Sequence, residues 1–167
     1  MTEAHYQDQL PEIQALVMDV DGVFTDGSIL LTESGEYLRQ MSVRDGYALR
    51  QAIKAGIQVF IITGGNSIGV RDRFLALGAQ EVHLEAHAKL PIMQDIATRR
   101  DLDLSRTIYI GDDILDIECI KAAGVGMCPS DAAPEVRASA DIVLPIGGGK
   151  GCVRLLCEQV LKARNLW

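Results

Sequence analysis

A chain of 167 residues, 48% hydrophobic and 23% charged, has the length and balance of one soluble globular domain with a sizeable core. Its net charge of -7 argues against nucleic acid or an anionic membrane as partner, and no apolar run approaches the roughly 18 residues a membrane helix needs. The cysteines Cys119, Cys128, Cys152 and Cys157 form no Cys-x-x-Cys pair and the N-terminal segment is polar rather than leader-like, so buried, reduced thiols in a cytoplasmic protein are expected.

Residues 1–12 are polar and read as a loose lead-in. The apolar run 15–18 then ends in Asp19 and Asp21, which reads as a buried parallel strand followed by a loop. Carboxylates at the C-terminal end of such a strand sit where open α/β sheets bind ligands. Two apart on extended backbone, they face one side, so one can attack while the other handles protons. A solvated Asp-Gly turn is the plainer alternative. Residues 28–41 place two stretches around Glu33-Ser34-Gly35, which predicts a hairpin.

A helix is expected over residues 47–55, with Asp45 as its N-cap and Gly56 as its stop. Residues 57–62 repeat the opening pattern, a strand running into Thr63-Gly64-Gly65, and a helix follows to Leu77. A short strand from Glu81, a helix over 89–100 and a strand over 107–110 come next, the last ending in Gly111-Asp112-Asp113. Residues 114–123 read as a helix stopped by Gly124. Strands at 125–128 and 142–144 flank a short helix near Pro134. A glycine tract at 147–151 reads as flexible and a helix over 152–164 closes the chain. This alternation predicts an α/β fold, a doubly wound parallel sheet in one domain over residues 1–167, with a small β-hairpin insertion.

Three strand ends and Lys89 can converge on one crevice. Phosphoryl transfer to water needs a nucleophile, a proton donor for the leaving alkoxide and positive charge around the transferred oxygens. Asp19 can be the nucleophile and Asp21 the acid and base. Asp112, Asp19 and a backbone carbonyl would make an oxygen-rich site that suits Mg2+, which also relieves repulsion between Asp19 and a phosphate dianion. The Thr63 hydroxyl and Gly64 amide can bind phosphate, and Lys89 can neutralise it. Plainer roles exist for each: Thr63 as a strand-end cap, Lys89 as a solvated lysine, Asp112 and Asp113 as helix caps, Asp116 as a surface acid or a buttress. His83 and His87 read as near-surface residues without a catalytic role.

In chain order, Asp19-Val-Asp21-Gly-Val, Ile62-Thr63-Gly64, Lys89 and Gly111-Asp112-Asp113-x-x-Asp116 resemble the four motifs of the haloacid dehalogenase (HAD) phosphatase superfamily. The resemblance implies a Rossmann-like fold and Mg2+ held by the Asp19 and Asp112 side chains and the Asp21 main-chain carbonyl. More closely, residues 21–27, Val43-Arg-Asp-Gly-Tyr47 and Gly148-Gly-Lys-Gly151 resemble the phosphatases of 3-deoxy-D-manno-octulosonate 8-phosphate (KDO 8-phosphate). That implies no cap domain and a homotetramer in which a neighbour closes each site. It also implies hydrolysis of a sugar-acid phosphate in lipopolysaccharide precursor biosynthesis. It places Ser42, Val43, Arg44, Asp45, Gly46, Arg50, Gly64, Arg73 and Lys89 around that substrate beside Asp21, arginine suiting a carboxylate. Where the family often carries Thr-Gly-Arg, this chain has Gly65, so a nine-carbon sugar-acid 9-phosphate or a broader set of sugar phosphates is the alternative. Two non-enzymatic readings fit less well. An oligomerisation domain predicts loss of a catalytic acid, and a phospho-acceptor receiver predicts the acidic pair first in the chain rather than last.

Overall fold

The structure, a computed structural model, describes residues 3–167. After β1 (Ala15–Met18) the chain forms a hairpin of β2 (Leu30–Leu31) and β3 (Tyr37–Leu38). The main sheet is completed by β4 (Gln58–Ile62), β5 (Glu81–His83), β6 (Thr107–Ile110), β7 (Val125–Cys128) and β8 (Ile142–Val143). Its order is β5-β4-β1-β6-β7-β8, and every pairing is parallel. The antiparallel hairpin forms its own two-stranded sheet.

All four residues of β1 are buried, as a strand covered on both faces requires. Leu16 and Met18 enter one core, Ala15 and Val17 the other. The first core is covered by α2 (Val43–Lys54), α3 (Ile68–Leu77) and α7 (Cys152–Ala163), through Leu49, Phe74 and Leu156. The second is covered by α4 (Lys89–Arg100), α5 (Ile117–Ala122) and α6 (Pro134–Ser139), through Met93, Ile120 and Val136. The doubly wound sheet is therefore as expected, and all four cysteines are buried free thiols. Among the described residues, no helix is long and apolar enough to cross a membrane.

The register positions the strand ends. Met18 lies opposite Ile61 of β4 and Ile110 of β6, and the Asp19 N–H donates to the Ile110 carbonyl at 3.0 Å. Asp19, Thr63 and Asp112 thus leave the sheet at nearly one level. That is the carboxyl edge at which parallel sheets bind ligands.

Five expectations need correction. The lead-in is structured: Glu3–Gln9 is a helix and Leu10–Glu12 a 3-10 turn, while Met1 and Thr2 lie outside the described residues. Tyr6, Leu10 and Ile13 recur at helical spacing and pack into the first core. Each such side chain contributes roughly 1.5–3 kcal/mol, which the polar majority of the segment conceals. The α2 helix begins earlier, at Val43, because Ser42 caps it by accepting the N–H groups of Arg44 and Asp45. The helix after Asp113 opens as a 3-10 turn, Ile114–Asp116, before α5.

The glycine tract is pinned rather than loose. The Gly148 N–H donates to Asp131 and the Gly149 N–H to the Val23 carbonyl, both at 2.9 Å. A Cβ on Gly148 would overlap the backbone of Gly22. The tract therefore braces the loop that carries Asp21.

Asp45, expected as a cap of its own helix and as a substrate contact, is fully buried and serves another helix. Its Oδ1 accepts the Arg154 N–H at 2.7 Å, in the first turn of α7. Asp45→Ala is expected to cost about 0.5–2 kcal/mol by urea denaturation, whereas Asp45→Asn, which keeps an acceptor, loses less.

Candidate active site

Lys89 opens α4 and is buried, so its ammonium needs partners inside the protein. It lies 2.6 Å from Asp116 Oδ1 and 3.0 Å from Asp19 Oδ1. Burial pulls its pKa down, but the two facing carboxylates outweigh that and hold it above its ordinary value. The lysine is not a solvated one.

Asp116 is fully buried and uses both oxygens. Oδ1 accepts from Lys89 and from the Tyr109 hydroxyl, the latter at 2.5 Å. Oδ2 accepts the backbone N–H groups of Asp112 and Asp113 at 3.1 and 3.2 Å. It is a buttress, neither a surface acid nor a free ligand. Gly111 lacks the Cβ that would overlap the Asp116 carboxylate, which explains the glycine before the two acids. Asp113 is turned the other way and caps the following turn through Ile114 N–H at 2.8 Å.

Ligand oxygens of Asp19, Asp112 and Asp116 come within 4.8 Å of one another. With Asp116 engaged, Asp19 and Asp112 remain to coordinate a cation. Asp112 Oδ1 is buried with no hydrogen-bond partner. Burial first, then Asp19, Asp116 and Asp113, push the Asp112 carboxyl up to about 7. Burial and the Asp116 carboxylate likewise push Asp19 upward, against the pull of Lys89. A crowd of hard oxygen donors short of positive charge fits Mg2+. Gly22 makes the approach possible. It has φ +84°, and a Cβ there would overlap the Asp112 carboxylate. Thr25 holds that turn, its hydroxyl oxygen accepting the N–H groups of Gly22 and Gly27 at 3.1 and 3.2 Å.

Thr63 is buried at the end of β4, and its Oγ1 accepts the Gly65 N–H at 3.2 Å, leaving its own proton to donate. A crevice of roughly 300 Å³ is lined by Asp19, Asp21, Thr63, Gly64, Lys89 and Asp112. The residues expected to carry the chemistry are thus together.

The expected substrate contacts divide. Val43 and Arg73 line a neighbouring hollow with Arg39, Ser42 lines another with Lys150, and Arg44 a third with Arg154. Arg50 is exposed on α2, while Asp45 and Gly46 are buried. Trp167 packs edge-on against Tyr47, ring centres 6.3 Å apart, beneath the Arg154 guanidinium. His83 pairs with Glu81 at the sheet edge and His87 is exposed.

Two residues of the site were not anticipated. Tyr109 reads as an ordinary core residue of a strand; only its alternation with Ile108 and Ile110 places it on the Asp116 side. Arg39 forms a two-point ion pair with Asp21, Nε to Oδ1 at 2.7 Å and Nη2 to Oδ2 at 2.9 Å. Nothing local in the sequence marks it.

A family model for haloacid dehalogenase-like hydrolases matches residues 78–147. The chain is 35% identical over 161 residues to the 3-deoxy-D-manno-octulosonate 8-phosphate phosphatase of Salmonella typhi, covering 96% of this chain and 86% of that one. It is 36% identical over 153 residues to the enzyme of the same name from Escherichia coli K12, covering 92% and 81%. The fold matches, at a TM-score of 0.94, a crystal structure of that phosphatase from Moraxella catarrhalis in complex with magnesium ion, phosphate ion and KDO. Identity there is 32%, with 98% of this chain and 94% of that chain covered. The cobalt-bound phosphatase from Haemophilus influenzae matches at 0.89, with 32% identity and coverage of 94% and 92%.

Thermal melts with and without MgCl2 separate the two roles given to the acids. Asp112→Asn is expected to lose most of the Mg2+-dependent rise in Tm while melting no lower than wild type without metal, because it removes an unpartnered buried acid. Asp116→Ala is expected to cost about 3–5 kcal/mol with or without metal, because it leaves Lys89 short of a partner.

Proposed function

The chain belongs to the haloacid dehalogenase-like hydrolases, and from that membership we propose that it hydrolyses KDO 8-phosphate to KDO and inorganic phosphate in lipopolysaccharide precursor biosynthesis. The observation that carries the reaction is the buried Lys89–Asp19 ion pair at the end of β1, facing an Asp112 oxygen with no partner. Residues 1–167 act in this reading as one hydrolase domain.

Asp19 attacks the phosphorus and forms an aspartyl-phosphate as the ester bond breaks. Asp21 gives a proton to the departing sugar oxygen, then takes one from the water that opens the aspartyl-phosphate. Lys89 offsets negative charge on Asp19 and on the transferred oxygens, while the Thr63 hydroxyl and Gly64 N–H donate to them. Asp19, Asp112 and the Asp21 carbonyl would hold Mg2+, which would supply positive charge where a phosphate dianion meets these carboxylates.

The substrate reading draws on the two relatives and on the Moraxella structure, whose phosphatase holds KDO. Ser42, Val43, Arg44, Arg50 and Arg73 are candidate contacts for the sugar acid. Four of them, Ser42, Val43, Arg44 and Arg73, lie in hollows other than the crevice, so they reach a substrate only if it extends beyond the phosphate subsite. Asp45 and Gly46 contribute through packing.

A homotetramer fits two features. The crevice is at the small end for a ligand site, and a neighbour would add wall. The hairpin exposes Leu30 at 67%, Leu31 at 62% and Tyr37 at 63%, a patch that calls for a cover. A cytoplasmic location fits the free thiols.

Phosphate release from KDO 8-phosphate, a nine-carbon sugar-acid 9-phosphate and hexose 6-phosphates tests the reading. Preference for KDO 8-phosphate, abolished by chelator and by Asp19→Asn, is expected. Preference for the nine-carbon acid would keep the mechanism and overturn the substrate. Absence of Mg2+-dependent release from all of them would contradict the enzymatic reading.

A further inference from the structure

Arg39 follows β3 directly and reaches from the hairpin to a small space that it lines with Asp21, Thr63 and Gly65, three residues of the crevice. All three guanidinium nitrogens are engaged: Nε and Nη2 on the two oxygens of Asp21, and Nη1 on the Tyr37 carbonyl at 3.3 Å. The side chain is only 10% exposed, against 29% for Asp21. A two-point pair of this kind fixes the rotation of a carboxylate as well as its position.

Gly65 lies on the other side of the guanidinium. A Cβ there would stand 3.1 Å from Arg39 Nη2 and 3.5 Å from Asp21 Oδ2. Gly65 is not among the glycines with positive φ, so backbone conformation does not demand a glycine. Space favours one, because a Cβ so close would make the Arg39 guanidinium give by a few tenths of an ångström. One residue on the hairpin and one after β4 therefore form a matched set around the carboxylate that handles protons.

We propose that Arg39 is a positioning residue for Asp21, fixing its carboxylate from the hairpin so that the oxygen lone pairs not taken by the guanidinium carry the proton to and from the scissile ester, and that position 65 is glycine to admit it. The inference rests on the phosphatase reading above. It makes hairpin placement part of the catalytic geometry. A proton donor must lie within hydrogen-bond reach of the leaving oxygen, so a carboxylate free to rotate is a poorer catalyst even with the fold intact.

Steady-state kinetics on two esters test it. A sugar phosphate such as KDO 8-phosphate has an alkoxide leaving group that needs a proton; p-nitrophenyl phosphate has one that does not. Arg39→Ala is expected to lose about 10–100-fold in kcat on the sugar phosphate, with a smaller change in KM. Its loss on p-nitrophenyl phosphate should be several-fold smaller. Arg39→Gln, which keeps bulk and one donor, is the second variant should the alanine fail to fold. Gly65→Leu should show the same ester-selective loss, and adding it to Arg39→Ala should cost little more, since both remove one interaction. Arg39→Lys, with a single-point contact, should recover only part. Wild-type kcat on the sugar phosphate in both Arg39→Ala and Arg39→Gln, or a loss shared equally by both esters, would overturn the proposal. The wild type's own turnover of KDO 8-phosphate reports separately on the substrate reading, because the comparison of esters holds for any sugar phosphate it hydrolyses.

Discussion

One buried ammonium organises the site. Lys89 has almost no contact with water and must be neutralised inside the protein. Asp19 and Asp116 do this, and in doing so they tie the start of α4 to the ends of β1 and β6. Asp116 passes the constraint on. Its second oxygen holds the backbone of Asp112 and Asp113, and Tyr109 braces its first from within the sheet. Removing any member would strand a charge or a polar group in the interior. The cluster is therefore rigid before any substrate arrives, which is the preorganisation that charge stabilisation in a transition state requires.

The same cluster explains the demand for a cation. Lys89 balances one carboxylate, while Asp19, Asp112 and Asp116 crowd together with an Asp112 oxygen left over. Glycines at 22 and 111 allow that crowding, each standing where a side chain would strike a carboxylate. The glycine tract behind the loop then keeps Gly22 and Thr25 from drifting. Around the crevice, glycine serves close approach more than flexibility.

Much of this was legible in the chain. Apolar runs cut off by Asp, Thr or Gly-Asp marked the strands and the edge at which the chemistry gathers, because a buried strand has to end where polar side chains begin. The α4 helix matched at both ends, since a lysine opens it and arginines close it. What escaped was contact between distant or unmarked residues. Asp45 looked like the cap of its own helix, but its partner is 109 residues away and Ser42 supplies the local cap. Tyr109 was hidden by burial that any strand tyrosine would share. Arg39 lies on an otherwise exposed hairpin, where its pairing with Asp21 leaves no periodic signal. Gly65 read as a missing arginine; folded, it lies against the arginine that the hairpin supplies. Asp45 and Gly46, expected at the substrate, are buried because α2 turns them inward.

The central claim is that phosphate is transferred to Asp19. Quenching the Mg2+-loaded enzyme during turnover, reducing acyl phosphates with borohydride and mapping the product by mass spectrometry tests it directly. The account predicts conversion of Asp19 to homoserine, only when a sugar phosphate is present. Conversion of Asp21 or Asp112 instead, or of no carboxylate at all during rapid turnover, would contradict it.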